Sequence, residues 1–159
     1  MSFLAYPATD RQKQLLALAG ELADTFAKRA DRDDWAGRFP VENYEDLRQS
    51  GYLTLTVPRD FGGWGASLLD VTLAQYRLGQ GCASTALVTG MHLMHIARLA
   101  AGLDGPDGWF TSICQAVVQD GALINVVASE PATGSPSRGG RPVTTARRQE
   151  DGSWLINGR

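Results

Sequence analysis

The stretch Ala128-Ser129-Glu130-Pro131-Ala132-Thr133-Gly134-Ser135 gathers the residue types best suited to holding a polar ligand. A hydroxyl residue, a carboxylate and a proline close an extended run, and a Gly-Ser loop follows. Backbone amides at a strand end can bond the edge of a planar heterocycle. Gly134 lets the main chain approach a phosphate closely, and Ser135 can donate to it. The same residue types also build ordinary turns with hydroxyl caps, so the stretch alone does not decide between ligand and turn. A second stretch, Val57-Pro58-Arg59-Asp60-Phe61-Gly62-Gly63-Trp64-Gly65, reads in isolation as a tight inter-helix loop with an aromatic anchor.

His92 and His95 are the two histidines, three apart and so on one face of a helix. The spacing can suit a metal, but no carboxylate or cysteine stands at matching positions, and metal sites usually need three or four ligands. The pair is therefore expected at a core or an interface, with a role beside a bound cofactor left open. Cys82 and Cys114 have no metal-like spacing and no neighbours that would activate a thiolate, so both are expected to be small buried residues. No Walker loop, zinc motif, dinucleotide fingerprint or Ser-His-Asp order is present.

These groups must be positioned by mostly helical chain. Thr9 or Asp10 can cap a first helix, whose Leu15, Leu18, Leu22 and Phe26 recur at spacings of three and four. Asp31 to Asp34 read as its solvated end. A short helix follows Pro40 and stops at Gly51, where a glycine ends helices well. Leu53 to Val57 predict a brief extended stretch. Ser67 caps a third helix ending near Gly79 and Gly81. Ser84 or Thr85 starts a fourth, running to about Ala101, whose apolar residues (Leu87, Val88, Met91, Leu93, Met94, Ile96, Leu99) predict burial on all sides. Gly102 to Pro106 form a turn, and a fifth helix carries Trp109, Phe110, Ile113 and Val117. At Gly121 the pattern changes. Ala122 to Ser129 predict a strand, and Thr144–Arg148 and Ser153–Ile156 two more, joined by a turn at Glu150-Asp151-Gly152. The expected fold is mainly α with a partial β-domain: a helical domain over 1–120, then the first strands of a β-barrel over 121–159.

Composition fits a globular protein with one domain and a fraction. The 159 residues carry a formal net charge of −2, which argues against a nucleic-acid protein that works by phosphate neutralisation. No apolar run reaches the ~18 residues of a membrane span. The N-terminus has no basic segment followed by a long apolar one, and two cysteines do not make a disulfide scaffold. A reducing, cytoplasmic location is expected. The chain stops at Trp154-Leu155-Ile156-Asn157-Gly158-Arg159, a strand entering a turn, and this suggests a truncated barrel.

In this order, these features resemble the acyl-CoA dehydrogenase family of flavoproteins. The carrying residues are the loop Val57–Gly65, the helix Ser67–Gly79, the Thr-Glu-Pro-x-x-Gly-Ser-Asp pattern matched by Ser129–Pro136, then Thr145 and Ala146, and the turn begun by Asn157-Gly158-Arg159. Ser129 stands where the family has Thr, and Pro136 where it has Asp. Ser137-Arg138-Gly139-Gly140 lengthens the loop, and Leu78-Gly79-Gln80-Gly81 lacks the usual acidic residues.

The resemblance implies an enzyme with a helical domain, a middle β-barrel and a C-terminal four-helix bundle. It implies FAD as cofactor, a homo-oligomer, usually a tetramer, an acyl-CoA or related substrate, and an electron-transfer partner such as an electron-transfer flavoprotein. By position it implies cofactor contacts at Val126, Ala128, Ser129 and Ser135, with Ser135 also near the CoA end of the substrate. The catalytic glutamate would lie beyond Arg159, so residues 1–159 alone are expected to bind no FAD tightly and to catalyse nothing. The expected activity is α,β-desaturation of an acyl thioester, by proton removal paired with hydride transfer to the flavin. Two alternatives stand beside it. One is a monooxygenase using reduced flavin on the same scaffold, with His92 or His95 assisting oxygen chemistry. The other is a non-catalytic homologue.

Overall fold

Thr9 and Ser67 each start a helix by the same reciprocal device. The Thr9 hydroxyl accepts from the Gln12 N–H, and the Gln12 side chain reaches back to the Thr9 N–H. Ser67 and Asp70 repeat the arrangement at 3.2 and 3.0 Å. Each box satisfies helix-end donors that would otherwise lack partners. The structure, a computed structural model, describes residues 6–102 and 108–158. Its chain divides into two units, Met1–Asn125 and Val126–Arg159.

The first unit is helical: α1 (Asp10–Trp35), α2 (Val41–Gln49), α3 (Leu68–Gly79), α4 (Ala83–Ala100) and α5 (Trp109–Asp120). The stripe Leu15, Ala19, Leu22 and Phe26 of α1 packs with Leu47 of α2, Ala74 and Leu78 of α3 and Leu93 of α4. A smaller cluster joins Val57, Ile96, Cys114 and Val117. The predicted turn from Gly102 lies outside the described residues at its positions 103–106, as do the first five residues and Arg159.

Three expectations are corrected in this unit. Leu53–Val57 is not extended: Tyr52–Thr54 form a short 3-10 turn, and Thr54, Leu55 and Val57 each donate to a carbonyl three residues back or fewer. Their N–H groups are taken by local bonds and so are not available to a neighbouring strand. The fourth helix starts one residue earlier than expected, with Cys82 at its N-cap. It is also not buried all round. Thr85, Thr89, His92, Leu93 and Ile96 face inward, while Leu87 is 70% exposed and Val88, Met91 and Met94 are exposed as well.

Polar side chains make up much of that inward face because each finds a partner. Asn43, itself buried, donates to the Thr85 hydroxyl at 2.9 Å and accepts from the Arg29 Nε at 2.8 Å. Thr89 donates to the Thr85 carbonyl. Tyr52 donates to Gln75, whose amide donates to the Ala86 carbonyl at 2.9 Å. The buried polar groups thus tie α1, α2, α3 and α4 together without the desolvation cost of unpaired donors.

The second unit has no buried residue among those described. It carries the antiparallel hairpin β1 (Thr145–Arg148) and β2 (Trp154–Asn157), in register Thr145 with Asn157 and Arg148 with Trp154. The strand expected over Ala122–Ser129 does not form: these residues lie in no ladder. A strand exists through its cross-strand hydrogen bonds, and no described edge pairs with this stretch.

Candidate functional site

The loop after Val57 is shaped by close backbone packing. Its return arm bonds to its outgoing arm, Gly65 N–H to Val57 O at 2.8 Å and Ala66 N–H to Leu55 O at 2.7 Å. A Cβ on Gly63 would overlap the Val57 carbonyl, so only glycine fits there. Arg11 of α1 donates to the Trp64 carbonyl and forms an ion pair with Asp70 at 3.5 Å. The glycine-rich loop is thereby clasped to the first turn of α3.

His92 is buried, with both ring nitrogens engaged. Nε2 donates to the Leu53 carbonyl at 2.9 Å, and Nδ1 accepts from the Ile124 N–H at 3.1 Å. These two backbone partners define the neutral tautomer. Burial pushes the imidazole below its ordinary pKa, outweighing the bond to Leu53. His92 therefore pins the 3-10 turn and the chain after α5 onto α4, and has no lone pair left for a metal or a proton relay. The Nε2 of His95 is buried and has no hydrogen-bond partner among the described residues. No group of three or more His, Cys, Asp or Glu residues suited to a metal occurs among them.

Cys114 is buried, and burial pushes its thiol up. Cys82 is only half-buried. Burial opposes its ionisation, but hydrogen bonds from Ser84 and Thr85 outweigh that and bring the thiol below its ordinary value. Both hydroxyls lie within bonding distance of Cys82 Sγ, at 3.3 and 3.1 Å.

In the second unit the Ser129–Ser135 stretch closes on itself. Glu130 and Gly134 exchange both backbone hydrogen bonds, at 3.2 and 2.8 Å. Ser129 and Ser135 flank this pair in the chain. Gly134 takes a left-handed φ of 71° with nothing within 4 Å of where a Cβ would stand, so that side of the loop is open to a ligand. Ser135 Oγ accepts from the Ser137 N–H and bonds the Ser137 hydroxyl at 2.8 Å, capping the turn Pro136–Arg138. Val126, Ala128 and Ser129 are exposed, and Ser135 is half-buried.

The Glu130 carboxylate accepts from the backbone N–H groups of Val143 at 2.7 Å and Thr144 at 3.0 Å, and from the Thr133 hydroxyl at 3.4 Å. The bonds from Thr144 and Val143 hold its pKa below the usual carboxylate range. Sequence reasoning placed Glu130 in the motif without a task. The contact to Val143 and Thr144 crosses 13 and 14 residues, and no local pattern encodes it. An open cavity of about 770 Å³ lies between this loop and the β-hairpin, with Glu130, Val143, Thr145 and Asn157 in its walls. Pro131, Ala132 and Val143 make much of its lining apolar, and its one carboxylate is turned onto backbone donors.

Solved structures share this architecture. Butyryl-CoA dehydrogenase from Megasphaera elsdenii superposes with a TM-score of 0.81 at 22% identity, over 99% of this chain and 41% of that one. FMN-bound TdsC from Paenibacillus sp. A11-2, a dibenzothiophene monooxygenase, superposes with a TM-score of 0.77 at 27% identity, over 91% of this chain and 35% of that one. The fold is thus that of the N-terminal part of acyl-CoA dehydrogenases and their structural kin.

Sequence comparison narrows this further. The model of the family "Acyl-CoA dehydrogenase, N-terminal domain" matches residues 9–102. The putative acyl-CoA dehydrogenase YdbM of Bacillus subtilis is 45% identical over 150 residues, 94% of this chain and 39% of that protein. The chain belongs to the acyl-CoA dehydrogenase family, and it spans about two-fifths of the length of that curated relative. No described helix is long and apolar enough to cross a membrane.

Proposed function

We propose that the protein is an FAD-dependent oxidoreductase that desaturates an acyl thioester at its α,β position. The carrying observation is the closed loop whose Glu130–Gly134 pair is flanked by Ser129 and Ser135, with open space at Gly134. Kinship with YdbM supports the reading. In this proposal Val126, Ala128 and Ser129 bond the flavin edge, Ser129 through both its N–H and its hydroxyl. Ser135 lies near the FAD pyrophosphate and the CoA end of the substrate. When bound, the flavin supplies the hydride acceptor. This chain orients that group, excludes water from one side and leaves proton removal to a carboxylate outside residues 1–159. The reading extends to a cytoplasmic homo-oligomer that passes electrons to an electron-transfer flavoprotein.

A second reading, a monooxygenase that uses reduced flavin, is favoured by one local feature. Pro136 replaces an expected acid, and the Ser135 hydroxyl is engaged by Ser137, which suits a substrate other than a CoA thioester. The likeness to TdsC agrees with it. With both His92 nitrogens engaged, His95 is then the histidine to consider. Anaerobic addition of a short acyl-CoA to the full-length, flavin-loaded protein separates the two. Bleaching of the flavin absorption is expected. Reduction only by NAD(P)H and a reductase overturns the first reading in favour of the second.

A further inference from the structure

We propose that Glu130 is a positioning residue for the flavin: it sets the spacing of Ser129 and Ser135 by clasping their loop to the start of β1. This rests on the flavin reading above and deepens it. Hydrogen bonds that hold this loop converge on Glu130.

Glu130 joins three pieces of chain. Its main chain pairs in both directions with Gly134, closing the loop. Its carboxylate takes the Val143 and Thr144 N–H groups at 2.7 and 3.0 Å, fixing the loop against the residues that enter β1. The Thr133 hydroxyl adds a third bond inside the loop at 3.4 Å. A Cβ on Gly140 would overlap the Thr133 carbonyl, so the returning arm lies directly against the loop. A carboxylate suits this task because both oxygens only accept, and charge-assisted bonds to N–H groups are the stronger kind. A glutamine at this position presents one acceptor and one NH2 donor, and so sets a donor against one of the two backbone N–H groups.

The test uses the protein purified from its own source with its flavin, and the variant Glu130→Gln prepared in the same way. Flavin affinity is expected to fall about tenfold, the size of one lost charge-assisted bond. The visible absorption band of the bound flavin should also shift, which a purely structural loss of stability would not cause. Hydrogen exchange on the unmutated protein supplies a measurement that does not depend on the variant folding. By reciprocity of coupled equilibria, flavin should slow exchange of the Val143 and Thr144 amides by a similar factor relative to the stripped protein. If the variant binds flavin within twofold of the parent with an unshifted band, the inference fails. Flavin-independent exchange at both amides overturns it equally. In both cases the flavin reading stands. A full-length parent protein that takes up no flavin overturns that reading, and this inference with it.

Discussion

His92 sits at the point where α4 meets two backbone segments far apart in the chain, at Leu53 and Ile124. Replacing it with leucine leaves a carbonyl and an N–H unpaired in the interior. A loss of about 2–4 kcal/mol is expected, read from urea unfolding midpoints. The pH dependence has a definite sign. The folded state holds the imidazole below its ordinary pKa of about 6.5, so between those values the unfolded chain binds the extra proton. The contribution of His92 is therefore full above about pH 6.5 and drains away as pH falls through the lowered folded value. Melting temperatures from pH 7.5 to 5 should drop less steeply in His92→Asn than in the parent. Equal slopes would show that His92 is not the group responsible. From sequence, the helical spacing of His92 and His95 was legible, and so was a core or interface position. Which nitrogen bonds to which backbone group was not, because Leu53 and Ile124 lie 39 and 32 residues away.

At the scale of elements, helix starts were the most readable features. Thr9 and Ser67 signal their helices through side chains that act within three residues, so the whole device lies inside a short window of sequence. Ser67→Ala removes the acceptor for the Asp70 N–H and should cost about 1 kcal/mol, measured as a lowered thermal midpoint. An unchanged midpoint would mean that Arg11 and Asp70 hold that end of α3 without the cap. The hairpin β1–β2 was legible for the same local reason, with its turn at Glu150-Asp151-Gly152 between paired strands. Two stretches with strand-like residues form no strand. Leu53–Val57 instead bonds three residues back and to the return arm of the glycine loop. Ala122–Ser129 has the residues of a strand but no described edge to pair with.

Considered as a whole, the chain exposes Leu87, Val88, Met91 and Met94 on one face of α4 and turns Thr85, Thr89 and His92 inward beside Leu93 and Ile96. The arrangement makes unequal demands on two leucines of one helix. In the 159-residue chain, Leu93→Ala should cost about 2–5 kcal/mol by leaving a cavity among α1, α3 and the 3-10 turn. Leu87→Glu should change stability by no more than about 0.5 kcal/mol. Denaturant unfolding of the two variants checks the contrast. Comparable losses would mean that Leu87 is packed in solution.

Sequence by itself determined the five helices, the caps at Thr9 and Ser67, the hairpin and the family resemblance, since each depends on residues close together along the chain. Pattern alone also marked Ser129 to Ser135 as the stretch to watch. Only the tertiary structure decided which face of α4 is buried, why His92 serves the backbone, and that Glu130 reaches Val143 and Thr144. The physical reason is the same in all three cases. Burial and hydrogen-bond partnership belong to pairs of distant residues, and a one-dimensional pattern specifies the donors and acceptors without saying which of them meet.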